Sequence, residues 1–138
     1  MLNAATAEHS GPFNIVSRRG HATMGSLLET CRAVAGAPNT RLEWVEPAAI
    51  LAAGIAPWTE LPVWLPPDHD YARLHAANVE RAHAAGLHCR PIEETGADTR
   101  AWLSALDGPP PLRADLPPPG LDRDRERAVL ADLRTFEP

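Results

Sequence analysis

The apolar positions of this chain switch between a strand period and a helix period, and the switches mark its elements. Residues 13–17, FNIVS, form a short apolar run bounded by Gly11-Pro12 and Gly20, which predicts a strand. A polar loop follows, Arg18-Arg19-Gly20-His21. Met24, Leu27, Leu28 and Cys31 then recur at i, i+3, i+4 and i+7, which places them on one helix face. Thr23 can cap that helix, because its hydroxyl can accept a free N–H of the first turn. Gly36 and Pro38 stop it. Residues 41–45, RLEWV, predict a second strand with Leu42 and Trp44 on one side. Pro47 suits the first position of a short helix, and Gly54 its end.

The next stretch, IAPWTELPVWLPPDHDY, has no period. Its four prolines exclude a long helix or a central strand. Asn78 predicts the cap of a helix running to Ala85, with Gly86 as its stop. Leu87, Cys89 and Pro91 alternate through a short extended piece. After Pro91 a helix carries Glu93 and Glu94 in its first turn, where the helix dipole favours negative charge. Ile92, Thr95, Thr99, Trp102 and Leu106 mark its buried side. Residues 108–120 hold six prolines and predict a stiff linker. Asp122 then caps a last helix with Val129, Leu130 and Leu133 on one side. The alanine-rich residues 1–9 have the pattern of the last turns of a helix. The expected fold is α/β, with a few short strands and four to five helices. Its parts are a remnant helix over 1–10, an α/β domain over 11–107, a linker over 108–120 and a C-terminal helix over 121–138.

Composition narrows the function. At 138 residues the chain has room for one domain with a core. A net charge of −5 argues against a general nucleic-acid binder, because phosphate binding needs a concentrated basic face. All 13 basic residues are arginine, which makes forked contacts but cannot replace a lysine whose pKa must be tuned. Cys31 and Cys89 set no disulfide framework and are expected to be small buried apolar residues. The first residues carry no basic stretch followed by an apolar run, and no segment approaches the ~20 apolar residues of a membrane span. The expectation is a cytoplasmic protein without a membrane or nucleic-acid partner.

Candidate chemistry is sparse. His69, His75, His83, His88 and Cys89 match no common zinc spacing. No serine sits in a nucleophile elbow, and no catalytic residue stands out. Arg18 and His21 lie after a predicted strand and before a helix N-terminus, where α/β folds place ligand-facing loops. Either they face a ligand or they are solvated surface groups. Trp58, Trp64 and Tyr71 could line an apolar pocket with polar tips, or serve as packing. Arg81 lies in the first turn of its helix and faces either a neighbouring carboxylate or a ligand.

Four segments in order carry a resemblance. They are GPFNIVSRRGHATMGSLLETC, LEWVEPAAILAAGIAPWTELPVWLPP, NVERAHAAGLHCRPIEETGADTRAWL and GLDRDRERAVLADL. Together they resemble the C-terminal, substrate-domain part of the extended short-chain dehydrogenase/reductases, the NAD-dependent epimerase/dehydratase group. The first resembles the family's strand followed by Thr-Met-Gly-x-Leu-Leu. The second is similar to the insert of a reductase-like subgroup. The third resembles the family's capped helix, Gly-Leu-x-x-Arg-Pro, and Thr-x-x-x-Thr-x-x-Trp-Leu helix, and the fourth its closing tail. The family's dinucleotide-binding Rossmann domain carries a Gly-x-x-Gly-x-x-Gly loop and a Tyr-x-x-x-Lys pair. This chain has neither, since Tyr71 is followed by Ala-Arg-Leu-His. Asp68 also stands where nucleotide-sugar enzymes keep an arginine, ten residues before Asn78.

The resemblance therefore implies a truncated substrate-binding portion of an NAD(P)-dependent reductase or epimerase, inactive alone. No cofactor would bind this chain by itself, and NAD or NADP would belong to the full-length enzyme. A small-molecule substrate would meet Arg18, His21, Trp58, Trp64, Tyr71 and Arg81. A Rossmann-domain partner chain or self-association would cover exposed apolar surface. The alternative is a stand-alone, non-catalytic binding or interaction module on the same scaffold.

Overall fold

A computed structural model describes residues 10–116 and 118–135, so the helix end expected over residues 1–9 lies outside the described residues. Those residues form five α-helices: α1 (Met24–Val34), α2 (Pro47–Ala52), α3 (Glu80–Ala84), α4 (Ile92–Ser104) and α5 (Arg123–Thr135). A 3-10 turn spans Ala72–Ala76, and two short strands, β1 (Pro57–Trp58) and β2 (Leu61–Pro62), pair in parallel. The fold is mixed α/β. The chain divides into two compact units, one from the residues up to Thr40 with Arg73–Gly108, the other from Arg41–Ala72 with the residues from Pro109 on. The single domain expected over 11–107 is thus drawn differently, because residues 41–72 group with the C-terminal segment.

In the first unit α1 forms where its cap and periodicity place it. Thr23 Oγ1 accepts the Ser26 N–H at 3.1 Å and Ser26 Oγ accepts the Thr23 N–H at 2.9 Å, a closed capping box. Helix α3 starts one residue later than predicted: Val79 is its N-cap, and Asn78 Oδ1 accepts the Glu80 N–H at 3.1 Å from just outside. Val79 and Ala82 are buried there. Helix α4 starts after Pro91 with Glu93 and Glu94 in its first turn, as its composition predicts.

Helices α1 and α4 pack on each other, and the contact is close. A β-carbon on Gly96 would lie 2.6 Å from Thr30 Cγ2. Thr30 is only 6% exposed. Each expected helix face is covered in part, and small residues join it at the contact. On α1 the expected Met24, Leu27 and Leu28 are partly covered, Thr30 and Val34 join them, and Cys31 is exposed rather than buried. Of the side expected on α4, Ile92, Thr95 and Leu106 are partly covered, as are Gly96 and Leu103, while Thr99 and Trp102 are exposed. Apolar periodicity overweights large residues, and here the small ones allow the helices to approach.

The strands expected at 13–17, 41–45 and around Leu87–Pro91 are absent; none of these segments joins a ladder among the described residues. A strand is stable only with a partner for its N–H and C=O groups, and propensity does not supply one. The one sheet lies instead within the proline-rich stretch, with Pro57 opposite Leu61 and Trp58 opposite Pro62. Each strand is two residues long, short enough to tolerate proline.

In the second unit Pro47 opens α2 at the first helical turn and buried Ile55 follows its end. Asp122 caps α5: its Oδ1 accepts the N–H groups of Asp124 and Arg125 at 3.0 and 3.1 Å. Within the linker the Arg113 guanidinium grips Asp115 by two bonds, Nε–Oδ1 at 3.0 Å and Nη2–Oδ2 at 2.5 Å. That fork holds the Asp115 carboxyl below its ordinary value. A lowered carboxylate pKa contributes stability above the unfolded value and loses it as pH falls through the folded one.

Two outcomes are expected. Gly96→Ala alone should destabilise the protein by about 1–3 kcal/mol through overpacking. With Thr30→Ser, which removes the obstructing methyl, the same change should stabilise by up to about 1 kcal/mol, because alanine is the better helix former. Urea melts of the two singles and the double measure the reversal of sign. Side-chain carboxyl NMR should find Asp115 titrating below an ordinary aspartate, and Arg113→Ala should return it to the ordinary range.

Candidate functional site

The six residues named from the sequence fall into two sets, one in each unit. In the first unit Arg18, His21 and Arg81 are brought to one seam, where residues 10–21 run along α3 and the residues after it. Arg81 donates from its two terminal nitrogens to the carbonyls of Ser10 and Pro12, the second at 3.4 Å. Its guanidinium carbon also stands 4.5 Å from the centre of the Phe13 ring, a cation–π contact. Gly11 has φ 91°, which favours glycine, and a β-carbon there would lie 3.0 Å from Arg81 Nη1.

The same seam holds three further contacts. Asn14 Nδ2 donates to the Asn78 carbonyl at 2.8 Å, Arg18 pairs with Glu80, and His21 Nε2 lies 3.0 Å from the Arg90 carbonyl. Arg90 in turn donates from Nε to Thr95 Oγ1 at 3.0 Å and pairs with Asp98. Every one of these residues is engaged with the protein itself. Side-chain bonds here replace the ladder that residues 13–17 lack. At the N-terminus of α1, where an anion would sit, the Thr23–Ser26 box takes up the Thr23 and Ser26 N–H groups.

The pyrophosphate of a dinucleotide needs free N–H groups at a glycine-lined helix entry. At the one strand-to-helix approach that the sequence suggested, Thr23 and Ser26 cap each other and Arg18 pairs with Glu80.

In the second unit Trp58 and Trp64 are joined directly: the Trp58 N–H donates to the Trp64 carbonyl at 3.0 Å. Between them the backbone is strained at two points. Trp58 has φ 67° and is spanned by a bond from the Thr59 N–H to the Pro57 carbonyl at 2.8 Å, the geometry of a γ-turn with positive φ. Val63 has φ 68° and sits behind Pro62 inside a bond from the Trp64 N–H to the Leu61 carbonyl at 3.1 Å. That is the third position of a type II turn, which favours glycine. A β-branched residue there is a true outlier.

Glu60 anchors this turn. Its Oε2 accepts the Ala56 N–H at 2.7 Å, its Oε1 pairs with Arg125, and its own N–H donates to the Ala56 carbonyl at 3.1 Å. Trp58 is 48% exposed, and Tyr71 is 65% exposed with its ring 5.6 Å from that of His69. The turn thus displays one tryptophan while covering more of the other. Sequence reading missed Glu60 and Arg125, because residues 65 apart give no local signal.

Other features are less organised. An open groove of about 430 Å³ lies on the α1–α4 pair, lined by Ser26, Glu29, Thr30, Ala33, Val34 and Glu93. Among the described residues no group of three or more His, Cys, Asp or Glu side chains could hold a metal ion. No described helix is long and apolar enough to cross a membrane. No protein-family model matches the chain, and no curated protein or solved structure matches it.

Replacing Val63 by glycine should relieve the left-handed strain, worth roughly 1–2 kcal/mol, against about 0.5–1 kcal/mol of added chain entropy. The expected net effect is a small rise in the urea midpoint. A lower midpoint would mean that the valine side chain contributes packing greater than the strain.

Proposed function

We propose that this chain is the substrate-side portion of an NAD(P)-dependent reductase of the epimerase/dehydratase type, without hydride chemistry of its own. The observation that carries the reading is the strained turn between Trp58 and Trp64. Backbone outliers concentrate where a ligand or partner is handled, because elsewhere selection removes their cost. Here two outliers present an exposed tryptophan, and a carboxylate hub holds the loop in place. An aromatic face with polar groups beside it suits a small organic substrate.

The four ordered segments supply the family side of the reading, and the missing lysine supplies its limit. Arg18, His21 and Arg81 take the role of scaffold, since each is already bound within its unit. Trp58, Trp64 and Tyr71 remain the substrate-facing candidates. The cofactor would come from a Rossmann-type domain, on the same polypeptide or another. Exposed apolar side chains such as Ile15, Val16, Trp44 and Trp102 support a covering partner.

Fluorescence titration with NADH and NADPH is expected to show no saturable binding to this chain. A screen of small carbonyl and alcohol compounds is expected to yield a ligand that quenches tryptophan emission and is lost in Trp58→Ala. Saturable dinucleotide binding, or the absence of any Trp58-dependent ligand, would overturn the reading.

A further inference from the structure

We propose that α5 is a detachable latch on its own unit, with Arg125 as the catch. Three polar contacts tie this segment to the loop around the strained turn. Arg125 pairs with Glu60, its Nη2 donates to the Gly54 carbonyl at 2.6 Å, and the Gly120 N–H donates to the Thr59 carbonyl at 3.0 Å. No described residue of α5 is fully buried; Val129, Leu130 and Leu133 are half-buried. A helix of thirteen residues is marginal by itself in water, so once undocked it melts. The linker before it is stiffened by its prolines and by the Arg113–Asp115 fork. Regions with few buried apolar contacts and exposed polar bonds open locally, well below the cost of global unfolding.

The loop side of the contact is arranged independently of α5. Ala56 holds Glu60 through both backbone and side chain, and the Gly54 carbonyl is placed by the end of α2. Opening the latch therefore uncovers a formed carboxylate–carbonyl cradle shaped for a guanidinium, directly beside Thr59 of the strained turn. In the closed state Arg125 fills that cradle. The latch does not depend on what the turn binds, so it can fail without the functional reading and the reverse.

Residue-resolved amide hydrogen exchange on the full chain tests it. In Arg125→Ala the amides of residues 127–133 are expected to exchange at least about tenfold faster, while those of Ala53 and Trp58 in the same unit keep their wild-type rates. Glu60→Gln retains an acceptor oxygen for Ala56 and removes the charge, and should act on α5 in the same way. Sodium chloride at about 1 M should speed exchange in α5 of the wild type, because exposed ion pairs are screened. An α5 that keeps its wild-type exchange rate in both variants, or that accelerates only together with Ala53 and Trp58, would overturn the proposal.

Discussion

Two helices can approach closely only where one of them gives up a side chain, and the first unit is organised around one such place. Thr30 Cγ2 fills the space in which residue 96 would carry a β-carbon. Glycine in a helix interior costs about 1 kcal/mol relative to alanine, so α4 forms despite Gly96. What offsets the cost is contact: Thr30 becomes the most deeply covered residue of α1, while Cys31 and Trp102 are exposed. The covered stripes of both helices combine large apolar residues, such as Leu27 and Ile92, with the small residues of this contact.

Arginine supplies much of the remaining long-range order. Arg81 and Arg125 each bridge two distant acceptors, Arg18 reaches a carboxylate 62 residues away, and Arg90 bridges two acceptors nearby in α4. A guanidinium presents several donors in a fixed plane, so one side chain can hold two carbonyls, or a carbonyl and a carboxylate, at once. An ammonium has no such fork. A chain short of strand pairing needs this property, and the complete replacement of lysine by arginine gains a structural meaning from it. Exposed ion pairs alone are worth little. The contacts matter because they help to fix backbone segments that join no strand ladder among the described residues.

Local signals in the sequence were legible and distant ones were not. Thr23, Asp122, Pro47, Pro91 and the acidic start of α4 all sit where capping and dipole rules place them. These rules act within one turn of chain. The expected strands at 13–17 and 41–45 failed because pairing is decided by a partner elsewhere. The site was legible in part. Trp58 and Trp64 stood out by size on an irregular segment, yet nothing in Pro57-Trp58 or Pro62-Val63 announces a positive φ, since valine and tryptophan avoid it. Arg18, His21 and Arg81 were visible as positions, but their roles depend on Glu80, Arg90 and Ser10, too far along the chain to be foreseen.

The seam at Arg81 differs from the other arginine contacts in the chemistry of its partners. Ser10 and Pro12 offer carbonyl oxygens and Phe13 offers a ring face. None of these groups takes up or releases a proton in water, and arginine keeps its charge throughout. The partners of Arg18, Arg90 and Arg125 include carboxylates, and this clamp has none. The Ser10–Phe13 end of the seam is therefore held without any carboxylate, whereas its other end relies on the Arg18–Glu80 pair.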